Sequence, residues 1–306
     1  MAQIKNALFI VNKFSGEGYR PEVEGRIIEQ CKKLNIESRI EFTQSRGHAT
    51  ELAQMAAQQK YNFVFAVGGD GTVNEVAQGL LGSSVAMGIL PKGSGNGLAR
   101  HLNIPMSFIK SLDTLMNYRE QLIDTVSVNG KLSVNVSGIG FDGHIAGLFA
   151  GNTKRGLYGY AKLVMKEFPS YKPFEASVEI NGANFNTKSF IIALANSSQF
   201  GNNARVAPQA SVCDELIDVC FIQKIPLTKA IGFATKMFSG KLNTSSLVEI
   251  HKANRVAINL NQLTAYHIDG EAMPPTERFE IEIKPASLNV LVPTKTDVNR
   301  SGKYPI

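Results

Sequence analysis

The segment Phe63-Val64-Phe65-Ala66-Val67-Gly68-Gly69-Asp70-Gly71-Thr72-Val73-Asn74-Glu75 runs an apolar stretch straight into three glycines placed around one carboxylate. Lacking Cβ atoms, Gly68, Gly69 and Gly71 reach backbone angles closed to other residues and bring bare N–H groups up to an anion. Asp70 then stands where a phosphate, or the metal that accompanies it, must sit. Val73, Val76, Ala77 and Leu80 follow at helical spacing, so the amides and dipole of a helix N-terminus add to the same anion site. The chemistry expected here is the handling of a polyphosphate.

Three further loops share this character: Asn12-Lys13-Phe14-Ser15-Gly16, the stretch from Thr43 to Ala49, and Pro91-Lys92-Gly93-Ser94-Gly95-Asn96-Gly97. One glycine loop often only turns the chain, but four at strand ends point to a ligand. None is a Walker loop, since no Gly-Lys-Ser/Thr closes a four-residue spacer, and the Gly-x-Gly-x-x-Gly fingerprint is missing. His48 has no second His or Cys at ligand spacing and reads as a helix-start residue rather than a metal ligand.

The elements that must hold these loops alternate strand and helix. Strands are expected over Ala7–Val11, Ser38–Phe42, Phe63–Val67 and Ala86–Leu90. Helices are expected over Glu22–Leu34, Ala49–Gln59 and Val73–Leu80, through Leu98, and from Phe108 to Asn117, with Met106, Phe108 and Met116 as core. This is α/β order with a parallel sheet, whose carboxyl edge carries every one of the loops. From Asp124 the texture turns β-rich, with short runs at Asp124–Val128, Lys131–Ser137, Ala176–Ile180, Ser189–Ala195, Leu216–Ile222, Arg255–Leu260, Thr264–Ile268, Phe279–Ile283 and Ser287–Val292. Turn pairs such as Asn129-Gly130 and Asn181-Gly182 separate them, the pattern of an antiparallel sandwich. Helical pattern interrupts it at 156–168 and 227–238. The expected domains are 1–123, with the tail 293–306 available to complete it, and 124–292. Asp124 and Arg100 are expected to form a structural ion pair near their junction.

At 306 residues, 43% hydrophobic and 19% charged, the chain has the make-up of a folded protein of two ordinary domains. No apolar run approaches the roughly eighteen residues that span a bilayer, and Ala7–Val11 is too short for a signal-peptide core. A cytoplasmic protein is expected. Cys31, Cys213 and Cys220 are odd in number and lack metal-ligand spacing, so they read as reduced, packed thiols.

The formal charge of +6 favours anionic partners. Lys154, Arg155, Lys162, Lys166 and Lys172 interleave with Tyr158, Tyr160, Phe168 and Tyr171. Lys224, Lys229, Lys236 and Lys241 lie in a stretch with no acid between Asp218 and Glu249. Both patches suit the inner face of an anionic membrane, and equally a solvated surface. With no recognised motif and no Trp, nucleic acid is not an expected partner. A homodimer stays open.

In these residues the chain resembles the diacylglycerol kinase catalytic domain family, which includes bacterial lipid kinases and the sphingosine and ceramide kinases. Gly68-Gly69-Asp70-Gly71-Thr72 is also shared with NAD kinases and phosphofructokinases and places the superfamily. Asn12 with Ser15-Gly16 is similar to the family's first-strand loop, with Lys13 for the usual proline. Thr43 with Gly47-His48-Ala49, Pro91-x-Gly93-Ser94-Gly95-Asn96, Gly140-Phe141-Asp142 and His267-Ile268-Asp269-Gly270-Glu271 follow in family order.

The resemblance implies an NAD kinase/phosphofructokinase-like first domain that binds ATP with Mg²⁺ and a β-rich second domain that takes a lipid acceptor at a membrane surface. It implies nucleotide contacts for Asn12, Ser15, Thr43, Gly68, Gly69, Asp70, Gly71, Thr72, Asn74, Glu75, Ser94 and Asn96. Asp70 would handle the phosphate or its Mg²⁺, and Glu271 would be the general base. Asp142 would touch the lipid headgroup or cap the helix after Gly143. Ser211, Asp214 and Leu216 match a second metal position, with Glu215 where the family has glycine. Diacylglycerol is the leading acceptor. The Ser94-Gly95-Asn96 form keeps a sphingoid base or ceramide in view, NAD kinase is a second enzymatic reading, and a non-catalytic lipid-binding protein a third.

Overall fold

The computed structural model describes residues 5–16, 21–93, 95–150 and 157–294. Ser94, Lys154, Arg155 and the tail beyond 294 therefore lie outside the described residues. The chain divides into two compact units, one of residues 1–123 and 286–306 and one of residues 124–285. The second boundary falls before the expected 292.

In chain order the first unit carries β1 (Lys5–Val11), α1 (Glu22–Lys33), β2 (Ile36–Phe42), α2 (His48–Gln58), β3 (Phe63–Gly68), α3 (Asp70–Leu80), β4 (Ala86–Pro91), α4 (Gly97–His101), α5 (Phe108–Asp113) and the start of β5 (Tyr118–Val128). Its strands lie parallel in the order β2-β1-β3-β4. β3 and β4 are buried throughout and β1 nearly so, as helices covering both faces of a parallel sheet require. On one face Phe9, Val11, Phe63, Phe65 and Leu90 pack with Ile27 of α1 and Leu112 of α5, and the Phe9 and Phe65 rings stack at 4.6 Å. The early boundary at 285 follows from the last stretch of the final strand, where Val290 pairs with Met87 of β4 in parallel. Met116 is a correction: the expected helix stops at Asp113, a single 3₁₀ turn follows, and Met116 is 61% exposed.

The second unit carries the end of β5, then β6 (Lys131–Ser133), β7 (Val136–Gly140), α6 (Phe141–Ala150), α7 (Leu157–Glu167), β8 (Phe174–Ile180), β9 (Ala183–Ser189), β10 (Ile191–Ala195), β11 (Ile217–Ile222), α8 (Ala230–Phe238), β12 (Val248–Ala253), β13 (Arg255–Ile268) and β14 (Glu271–Pro293), the last reaching back into the first unit. Pairing is antiparallel, in the order β12-β11-β10-β7-β13-β14, with β8 and β9 forming a hairpin on β13. The hairpin signals are real: Asn129-Gly130 and Asn181-Gly182 both hold positive φ at each residue, as tight hairpin turns demand. Val178, Val219, Val256, Ile258, Phe279 and Ile281 fill one core of this unit. A smaller core of Val136, Ala193, Ala195, Cys220, Ile222 and Leu242 lies under α8, and a third of Phe141, Ile145 and Phe190 under α7. Among the described residues, no helix is long and apolar enough to cross a membrane.

Candidate active site

Each parallel strand of the first unit ends in one of the polar loops, and the loops are tied to one another by short contacts. The Asn12 N–H donates to Val67 O (3.0 Å), the Thr43 N–H to Val11 O (3.0 Å) and the Lys92 N–H to Gly68 O (2.8 Å). Asn12 Nδ2 donates to Thr72 Oγ1 (3.1 Å), while Asn12 Oδ1 accepts the Phe14 N–H (2.9 Å) and Ser15 Oγ donates to Asn12 O (3.1 Å). A Cβ on Gly16, whose φ is +65°, would stand 1.8 Å from Lys92 O, and one on Gly93 would stand 2.8 Å from Gly69 Cα. Only glycines allow the first, third and fourth loops to meet this closely.

Asp70 opens α3 and reaches across to the fourth loop. Its Oδ2 accepts the Asn96 N–H and its Oδ1 the Gly97 N–H, both at 2.8 Å. Asn96 sits in the left-handed region (φ 52°), with Nδ2 donating to Gly93 O and Oδ1 buried without a hydrogen bond. The central carboxylate therefore fixes the shape of the loop beside it. Gly71, Thr72 and Asn74 follow in the first turns of α3. The Glu75 carboxylate accepts the Gly47 N–H (2.9 Å) and the Ala49 N–H (3.2 Å) and so anchors the start of α2. His48 Nδ1 accepts the Gln44 N–H at that helix start, as expected. Arg100 Nε donates to Gly95 O (2.9 Å), and buried Asp124 accepts the Glu215 N–H (2.8 Å).

In the second unit Asp269 and Gly270 form the turn between β13 and β14, with φ of 49° and 88°, and Glu271 pairs with Ile268 immediately after it. Asp269 is buried and pins this turn: its Oδ1 accepts Ser133 Oγ–H (2.7 Å) and the Asn135 N–H (3.0 Å), and its Oδ2 accepts the Val134 N–H (2.8 Å). The Gly270 N–H donates to His267 Nδ1 (3.1 Å). That bond places the proton of a neutral imidazole on Nε2, which lies 3.3 Å from Asp142 Oδ2. Asp142 is buried in the first turn of α6, where its Oδ1 accepts the Gly143 N–H (2.9 Å). The helix begins at Phe141 rather than after Gly143. A Cβ at Gly138, the β7 partner of His267, would stand 1.7 Å from Asp142 Oδ2, so the strand has room for the carboxylate only as glycine. Burial, with the Asp142 charge adding to it, pushes the nearby Tyr171 phenol up to about 12. Sequence reading assigned no hydrogen-bonding role to His267 or Asp269, although both lie inside the quoted motif; the partners of Asp269, and Asp142 beside His267, are more than a hundred residues away.

At the expected second metal position the carboxylates already hold an ammonium. Asp214 Oδ1 accepts the Leu216 N–H (3.3 Å), and Asp214 Oδ2 and Asp218 Oδ2 both accept from Lys252 Nζ, at 2.8 and 3.0 Å. Ser211 Oγ accepts the Cys213 N–H (3.3 Å), and Glu215 occupies the left-handed turn (φ 61°) that glycine would fill. The loop's cation is thus an ammonium, and among the described residues no cluster of three or more His, Cys, Asp or Glu has a metal-holding arrangement. Cys213 is exposed, against the expectation of three packed thiols, while Cys31 and Cys220 are buried.

Comparison with known proteins matches both units. A diacylglycerol kinase catalytic domain model covers residues 6–128, and a model described as the YegS C-terminal NAD kinase beta sandwich-like domain covers residues 136–292. Over 276 residues the chain is 29% identical to a protein of Bacillus subtilis named diacylglycerol kinase, covering 88% of this chain and 90% of that one. A "Probable lipid kinase YegS-like" of Klebsiella pneumoniae is 27% identical over 300 residues, covering 96% and 98%. The crystal structure of a diacylglycerol kinase from Bacillus anthracis superposes with a TM-score of 0.76 over 97% of this chain and 99% of that one, at 19% identity, which speaks to the fold.

Proposed function

This chain belongs to the diacylglycerol kinase family with a YegS-type second domain, ATP-dependent lipid kinases, and we propose that it transfers the γ-phosphate of ATP to the hydroxyl of diacylglycerol. The observation that carries the reading is the Asp70 carboxylate holding the Asn96 and Gly97 amides at the strand ends, because it fixes the glycine-rich loop beside the start of α3, where a polyphosphate would bind. Phosphoryl transfer asks little covalent chemistry of a protein beyond positioning and charge stabilisation. The loops at Asn12, Thr43, Gly68 and Gly93 supply the positioning.

Asp70 is the residue that would hold the Mg²⁺ accompanying the nucleotide, and the ion would supply a hard counter-charge to the phosphate oxygens. Glu271 takes the proton of the acceptor hydroxyl as that oxygen attacks the γ-phosphorus. A carboxylate in this role contributes about 10²- to 10⁴-fold. Its place directly after a pinned turn suits it, since Asp269 and His267 fix the backbone from which it projects.

A lipid hydroxyl of the sphingoid class is the second reading, favoured by the Gly93-Ser94-Gly95-Asn96 run. The test is transfer of labelled γ-phosphate from Mg-ATP to diacylglycerol, sphingosine, ceramide and phosphatidylglycerol in mixed micelles and to NAD in solution. Label in diacylglycerol is expected. Label confined to sphingosine or ceramide selects the second reading, and label only in NAD, or in nothing, overturns both.

A further inference from the structure

The segment from Lys224 to Lys241 builds a helix with two apolar faces, and only one of them is covered. Phe233 and Met237 of α8 turn inward onto the core of Val136, Ala193, Cys220 and Leu242. Leu227, in the 3₁₀ turn that leads into α8, and Ile231 and Phe238 turn outward and are 82%, 84% and 54% exposed. Positions 227, 231 and 238 fall on one helical stripe. Large apolar side chains this bare, lined up on a single face, mark an interaction surface rather than scattered surface residues.

The charge around the stripe is of one sign. Lys229, Lys236 and Lys241 lie close to it in the sequence, Lys236 Nζ donating to Thr244 O (2.8 Å), and no acid occurs from 219 to 248. Lys224 Nζ donates to Pro169 O (3.1 Å) and Tyr171 O (2.7 Å), which ties the start of this segment to the end of α7. There too the exposed Tyr158 and Met165 alternate with Lys162 and Lys166.

We propose that the Leu227–Ile231–Phe238 face of α8 docks on an anionic lipid bilayer, lying in the interface with its lysines among the headgroups. The proposal rests on the lipid-kinase reading for its purpose and on the exposed stripe for its argument. Apolar side chains entering the acyl boundary with Lys stems reaching back to the headgroups is how an interfacial helix binds. A second copy of the chain is the less favoured occupant, because a two-fold contact through this face would set lysine against lysine.

The test is co-sedimentation with vesicles of phosphatidylcholine alone and of phosphatidylcholine mixed with phosphatidylglycerol. The full chain is compared with Leu227→Asp/Ile231→Asp and with Lys229→Glu/Lys241→Glu. The wild type should bind the mixed vesicles, less so as salt is raised, and each double variant should lose about tenfold or more in partitioning with an unchanged melting temperature. All three proteins should phosphorylate a short-chain diacylglycerol dissolved as monomers at the same rate. Failure of the wild type to bind, or equal binding by the variants, overturns the docking surface while leaving the kinase reading intact. Light scattering that shows a dimer abolished by Leu227→Asp/Ile231→Asp assigns the face to a second copy and overturns it as well. Absence of transfer to any lipid strikes the kinase reading instead, whatever the vesicles show.

Discussion

Replacing Asp70 with asparagine keeps the volume and removes one acceptor. In the wild type the two carboxylate oxygens each receive a backbone N–H at 2.8 Å, from Asn96 and Gly97. Asparagine offers one oxygen and one NH₂, so an amide donor is left facing a donor, and the remaining bond passes from charge-assisted to neutral. Losing one charge-assisted bond costs about 1.5–3 kcal/mol and weakening the other roughly 1 kcal/mol more. Asp70 is only partly buried, so water relieves some of this, and about 2 kcal/mol is the working figure. For a unit of this size that is a fall in melting temperature of about 4–8 °C. Thermal melting followed by circular dichroism, with ATP binding by calorimetry on the same samples, checks it. Asp70→Asn should melt early and bind ATP at least about tenfold more weakly, because the loop loses its shape. A variant that melts like the wild type would refute the claim that Asp70 organises the Gly93–Gly97 loop.

Three further outcomes follow from the geometry. His267→Asn retains an acceptor within reach of the Gly270 N–H, whereas His267→Ala leaves that amide without its bond; kcat should fall by about tenfold in Ala and much less in Asn with KM for ATP unchanged, and equal loss in both would dismiss the turn-holding role. Ellman's reagent at pH 8 should find a single thiol in the native protein, Cys213, since burial pushes the Cys31 thiol up to about 11 and Cys220 higher still; rapid reaction of a second thiol would contradict this. Without nucleotide, the melting temperature should be the same in EDTA and in Mg²⁺, because Lys252 already bridges Asp214 and Asp218; a clear rise with Mg²⁺ would show that this loop binds metal.

The first unit was legible because its strands are buried on both faces and so read as unbroken apolar runs between amphipathic helices. β9 and β12 were not, since Asn184-Phe185-Asn186-Thr187 and Glu249-Ile250-His251-Lys252 are half-exposed and carry no continuous apolar face. The two runs 255–260 and 264–268 are one strand, β13, carried through Asn261-Gln262 by a register shift against β14 that no local pattern announces. At the site the glycines and carboxylates were visible as types at spacings. Their partners were not: Asp70 holds a loop 26 residues on, Glu75 the start of a helix 28 residues back, and Asp269 a connection 136 residues away. Lys252 on Asp214 is of the same kind, a contact made only when β12 pairs with β11.

The most direct measurement is phosphate transfer by Glu271→Gln beside the wild type, with ATP binding measured on both. Glutamine keeps the size of the side chain and cannot accept the hydroxyl proton. Transfer to lipid should fall by about 10²-fold or more while ATP binds as before. Undiminished transfer in this variant would remove Glu271 from the reaction and with it the account of how the pinned turn serves catalysis.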